Sequence, residues 1–179
     1  TLLPGFIDTW GHFALIAQDT FGVNVAYFSK NPPQNKSQLF EKLKTEGRPF
    51  NGWIVGTGYS EVLLSDGAIT LAELDQAFPN TPVLIENIST LTGMVNSAGL
   101  KKLGITPATK VVNGFIPVDP KTGKLTGELV GIPNVEATAK VFGKYSQALT
   151  IETFRKAEKI YASNGFTTAQ SYESTVWYI

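Results

Sequence analysis

The sequence predicts a mixed α/β fold, and three observations carry that prediction. Short apolar runs at Phe6–Thr9, Trp53–Gly56, Pro82–Ile88 and Phe166–Gln170 have the length of strands. Between them lie segments with helical apolar spacing and polar starts at Ser37, Thr70 and Thr150. One turn-forming stretch, Asp119-Pro120-Lys121-Thr122-Gly123, sits between two further extended runs and predicts a hairpin.

In chain order, Phe6–Thr9 reads as a short buried strand and Val23–Phe28 as a weakly alternating second one. Asn31-Pro32-Pro33-Gln34-Asn35 is a loop, because consecutive prolines cannot join a ladder. Ser37 starts a helix to about Thr45, with Leu39, Phe40 and Leu43 on one face and Gly47 as its stop. Thr70-Leu71-Ala72-Glu73 has the form of a capping box, and Pro79 ends that helix near Phe78. A helix is expected from Val95 to Leu103, closed by Gly104. Phe115–Val118 and Leu125–Val130 are the arms of the hairpin. Ile151–Ser163 is a helix with Phe154, Ala157, Ile160 and Tyr161 at helical spacing.

Composition narrows the function classes. Lysine plus arginine and aspartate plus glutamate are 15 each in 179 residues, so no clustered positive charge marks a nucleic-acid surface. No apolar run approaches the roughly 18 residues of a membrane span. Cysteine is absent, which removes disulfides and thiolate ligands but leaves the compartment open between cytoplasm and export. One domain is expected at this length, a single unit over residues 1–179. Apolar Thr1-Leu2-Leu3 runs straight into a strand and Ser174–Ile179 has no polar tail, so the chain reads as an N-proximal piece of a longer polypeptide.

The chemistry gathers first around Pro4-Gly5-Phe6-Ile7-Asp8-Thr9-Trp10-Gly11-His12, which ends on the one histidine of the chain. Residues i and i+2 of a strand share a face, so a metal site at a strand end would take His-x-His. Here Trp10 stands first and His12 second, and an indole donates a hydrogen bond but has no lone pair for a metal.

That stretch resembles the entry to the first barrel strand of the amidohydrolase superfamily. Four later stretches are similar to its family-3 branch: Gly52–Tyr59; Pro82–Ile85 leading to Asn96–Ile105; Asp119–Leu129; and Asn164–Gln170. The resemblance implies part of a (β/α)8 barrel, with barrel-strand-like ends at 1–15 and 165–179 and an inserted α/β subdomain over 20–148. A complete barrel of about 250 residues does not fit. It further implies a metal-dependent hydrolase of amide-type C–N bonds, with a divalent, zinc-like metal and a small-molecule substrate in the full-length protein. His12 matches the second histidine of the family motif and is the expected metal ligand. Asp8 is the candidate for orienting a ligand, Asn96 for substrate contact, with Ser97 beside it. Glu173 is a candidate catalytic carboxylate at a strand end, with Ser171 beside it. Three positions depart from the family pattern: Trp10, Leu91 where a substrate-facing histidine is common, and Gly131 where a glutamate is common, Glu128 lying too early to replace it.

With a partial, degenerate site, the fragment itself is expected to be inactive and to bind no metal. The alternative is a non-catalytic small-molecule-binding or assembly domain of the same descent. Barrel strands left unpaired at both ends would be edges, which predicts self-association into a homo-oligomer.

Overall fold

The computed structural model describes residues 3–143 and 147–171. The order is β1 (Phe6–Gly11), α1 (Phe13–Asp19), β2 (Val23–Asn24), α2 (Lys36–Glu46), β3 (Ile54–Tyr59), α3 (Leu71–Ala77), β4 (Val83–Asn87), β5 (Thr92–Val95), α4 (Ser97–Leu103), β6 (Gly114–Phe115), β7 (Glu128–Gly131), α5 (Ile132–Phe142), α6 (Gln147–Ser163) and β8 (Phe166–Ser171). One 3-10 turn lies at Glu61–Leu63. Where a single unit was expected, the chain forms two compact units: Gly22–Gly143, and Thr1–Phe21 together with Lys144–Ile179. The unit Gly22–Gly143 compares with the insert expected over 20–148.

The larger unit is built on a six-stranded sheet in the order β2-β3-β4-β5-β7-β6. β2, β3 and β4 run parallel, and β5, β7 and β6 continue the sheet antiparallel. Alternation along β4 sends Val83 and Ile85 to one face and Leu84 and Glu86 to the other. The first face packs with Leu39 and Leu43 of α2 and Leu74 of α3 into one core. The second carries α5, whose Thr138 hydroxyl donates to Glu86 at 2.7 Å.

Local signals explain most of these elements. The Thr70 side chain accepts from the Glu73 amide at 3.3 Å while Glu73 accepts from the Thr70 amide at 2.8 Å. The Glu73 carboxyl is pulled down to about 2, chiefly by the Lys36 hydrogen bond and then by Thr70. Gly104 closes α4 in the left-handed conformation at φ 73°. The expected hairpin forms: Asp119 takes the amides of Lys121 and Thr122, and β6 pairs with β7.

Other boundaries move. Asn35, not Ser37, caps α2, accepting from the Gln38 amide at 2.9 Å. Val95 closes β5 and is not helical; the helix begins one residue after Asn96. β2 spans only Val23–Asn24, and α6 begins at Gln147, so Thr150 lies inside it. α1 and α5 appear where no helix was expected.

In the smaller unit β1 and β8 pair in parallel, so the strands at the two ends of the chain are partners and each keeps one outer edge among the described residues. β1 is not the buried strand expected: Phe6, Ile7 and Trp10 are exposed. Phe13 packs on Phe154 and Tyr161, and Tyr161 on Phe166, joining α1, α6 and β8.

Candidate functional site at the paired strand ends

Because β1 and β8 are parallel, their carboxyl ends lie side by side, with Gly11 opposite Ser171 in register. That end of a parallel strand pair is where barrel folds place reactive groups. Three residues expected to carry chemistry lie on these strands or just after them: Asp8, His12 and Ser171.

Asp8 is half-buried, and each of its carboxylate oxygens has one hydrogen-bond partner. One carboxylate oxygen accepts from the Tyr161 hydroxyl at 2.9 Å and the other from the Trp10 amide at 3.3 Å. The carboxylate folds back over Gly11: a Cβ there would collide with it and would stand 2.8 Å from the Tyr161 hydroxyl oxygen. A larger residue between Trp10 and His12 would push the Asp8 carboxylate out of this position. Burial, then the Asp8 hydrogen bond and charge, push the Tyr161 phenol up, so it holds its proton and acts as a donor. Tyr161 had been read as a packing residue on α6; its hydroxyl reaches a group 153 residues away.

His12 is exposed and takes the position just before α1, with φ −114° and ψ 52°. Its carbonyl accepts from the Ile16 amide at 2.9 Å, but its imidazole does not cap the helix. The capping bond comes from β8, where the Ser171 side chain accepts from the Ala14 amide at 3.2 Å. Trp10 is 67% exposed, and no imidazole stands beside His12 on its strand. Among the described residues, no three His, Cys, Asp or Glu side chains come together to hold a metal ion. Glu173 lies outside the described residues.

The other candidates lie in the larger unit. Asn96 is fully buried and saturated. Its oxygen accepts from the Val83 and Gly99 amides, each at 2.9 Å, and its NH2 donates to the carbonyls of Phe78 at 2.9 Å and Thr81 at 2.8 Å. Two acceptances and two donations exhaust an amide side chain, so Asn96 is a structural joint and not the substrate contact expected. The Ser97 hydroxyl is bound to Asp75 at 2.6 Å.

Leu91 is 62% exposed, and Gly131 enters α5 with φ 71°, a conformation that favours glycine. These two departures from the family pattern are neighbours, the Gly131 amide donating to the Leu91 carbonyl at 2.8 Å.

Glu86 was not expected at all. It is 6% exposed, and burial raises its carboxyl, opposed by the Thr138 hydrogen bond. A lone carboxylate inside the most apolar strand was the signal available for it.

Comparison with known proteins follows this geometry. A model of the amidohydrolase family matches residues 1–177. The chain is 30% identical over 131 residues to a Bacillus subtilis protein, YtcJ, named as an amidohydrolase, covering 72% of this chain and 24% of that protein. It is 29% identical over 133 residues to an N-substituted formamide deformylase of Arthrobacter pascens, covering 73% of this chain and 24% of the relative. The chain thus spans about a quarter of the length of these curated relatives. Among solved structures it superposes on a metal-dependent hydrolase of Pyrococcus horikoshii with a TM-score of 0.59 at 18% identity, covering 93% of this chain and 30% of that one. A second, from Pyrococcus furiosus, gives 0.58 at 17%, covering 93% and 31%. These two establish the likeness of fold.

Proposed function

Because the chain belongs to the amidohydrolase family, we propose that it is one portion of a hydrolase of amide-type C–N bonds and does not carry out that reaction alone. A relative named for deformylating N-substituted formamides supports the substrate class. The observation that carries the second half is the content of the strand-end site: one imidazole at His12 and one carboxylate at Asp8 already engaged by Tyr161 and Trp10. A zinc-like ion takes three or four N, O or S ligands. The described residues do not meet that requirement, so no step through a metal is assigned to them.

The test is formate release from an N-alkylformamide by the purified 179-residue chain, with and without added Zn²⁺ or Mn²⁺. Release equal to the buffer blank is expected. Turnover that scales with chain concentration and disappears in His12→Ala would overturn the proposal. Trp10 in the place of a first histidine favours a second reading, a non-catalytic binding domain of the same descent. The longer polypeptide separates the two: a divalent ion held by it and lost in His12→Ala supports the hydrolase, and a metal-free protein the binding domain.

Among the described residues the outer edges of β1 and β8 pair with no further strand, which also supports self-association, since such an edge is a template for another strand. Sedimentation equilibrium of the chain should show concentration-dependent dimers that Thr168→Lys suppresses. A single monomeric species at every concentration would exclude them.

A further inference from the structure

A cleft of about 250 Å³ opens in the larger unit where β3 and β4 end. Tyr59, Glu61, Ile69, Asn87, Met94 and Glu128 line it. In α/β sheets the carboxyl ends of parallel strands are the usual place for ligands.

Register explains the gathering. Tyr59 and Asn87 are opposite each other at the ends of β3 and β4, and Glu128 pairs with Met94 across β5 and β7. Asn87 donates its NH2 to Glu61 at 2.9 Å and accepts from the Ser89 amide at 2.8 Å, which fixes one Glu61 oxygen and leaves the other for a ligand. The Glu128 carboxylate is half-buried and has no ion-pair or hydrogen-bond partner among the described residues.

A second feature lines the same space. Tyr59 is 5% exposed, and its hydroxyl accepts from the Ile69 amide at 3.0 Å. The hydroxyl proton has no acceptor among the described residues, and a buried O–H ordinarily finds one. Burial first, and then the charges of Glu61, Glu73 and Asp66, push this phenol up, so the proton stays in place. The cleft therefore presents two carboxylates without a cation and one donor without an acceptor, over apolar walls from Ile69 and Met94.

We propose that this cleft binds a small ammonium-bearing molecule, with its cation between Glu61 and Glu128 and a neighbouring carbonyl or hydroxyl oxygen accepting from Tyr59. An organic amine suits this lining better than a metal ion. The apolar walls from Ile69 and Met94 suit the carbon skeleton of an amine, and no cluster of three acidic or imidazole ligands occurs among the described residues. This proposal does not rest on the hydrolase reading.

The test is an amide-shift titration of the 179-residue chain with 4-aminobutanamide, beside neutral butanamide and Ca²⁺ alone. The cationic amide should move the Ile69 and Glu128 amides and the Asn87 side-chain NH2, and butanamide should not. Charge-assisted contacts are about twice as strong as neutral ones, so Glu128→Gln and Glu61→Gln should each weaken binding about tenfold or more. Both positions are at the surface of the cleft, so these variants keep the fold, and unchanged spectra elsewhere confirm it. Equal shifts with butanamide, unchanged affinity in Glu128→Gln, no saturable shifts, or the same shifts with Ca²⁺ but not the amine would each overturn the proposal.

Discussion

Asn96 in the larger unit and Asp8 in the smaller one are both polar side chains with a partner on each polar atom, yet they do different work. Asn96 is fully buried and ties three backbone segments together: the start of β4, the first turn of α4 and the Phe78–Thr81 loop. Asp8 is half-buried, on a two-stranded sheet whose faces are largely exposed, and is held by one phenol and one nearby amide. The larger unit has a sheet covered on both faces and a core of its own. The smaller unit holds the strand ends where chemistry is expected but little buried surface. Most of the buried core and the strand-end candidates thus fall on different stretches of the chain.

The largest effect that tests this contrast is Asn96→Ala. It removes a helix cap and leaves two carbonyls and two amides without their partner in a dry site. A cap alone is worth about 1 kcal/mol and an orphaned buried group about 1–3 kcal/mol, so a loss of about 3–5 kcal/mol is expected. Urea unfolding followed by circular dichroism reads this as a midpoint lower by more than about 1 M. A shift too small to resolve would end the view of Asn96 as a structural joint.

What the sequence made legible follows the same division. The Thr70–Glu73 box, the Gly104 stop and the Asp119 turn were readable because each is complete within a few residues. α1 was not, because its cap is Ser171, supplied by a strand at the far end of the chain. α5 was hidden by its entry through Gly131 and a proline in the first turn, with no polar cap to announce it. β5, four residues long, was not expected, and its last residue, Val95, was read as the start of the following helix, because so short a run does not distinguish a strand from a helical turn. Around the site, the place of His12 at a strand end was legible from its motif. The Tyr161–Asp8 bond was not, since a helical tyrosine at packing spacing carries no mark of the polar partner its hydroxyl will reach.

A middle-sized effect sharpens the comparison through pH. Glu86 lies in the covered face of the larger unit with its carboxyl raised by burial. An acid whose folded value is raised contributes stability that is complete below its unfolded value, about 4.3, and is lost as pH rises through the folded value. Above that window the wild type carries a buried charge, whereas Glu86→Gln carries none and keeps an oxygen for Thr138. The variant should therefore have the higher Tm at pH 8, and its advantage should shrink as pH falls towards 4. Parallel Tm curves for the two proteins would show that Glu86 is not held protonated by burial.

The smallest expected effect belongs to the smaller unit. Tyr161→Phe keeps the ring that packs on Phe13 and Phe166 and removes only the hydroxyl that donates to Asp8. A hydrogen bond to a carboxylate is worth about 1.5–3 kcal/mol when buried; Asp8 is half-buried and water can replace the phenol, so about 1 kcal/mol is expected. The more telling readout is local. Without its donor the Asp8 carboxylate gains freedom over Gly11, and amide hydrogen exchange at Trp10 and Gly11 should speed up, while exchange in β4 and β5 stays as it was. Equal acceleration in both units would show that they share one cooperative unfolding reaction. Confinement to β1 would show that the strand-end groups sit on a part of the chain whose order can be altered without touching the larger core.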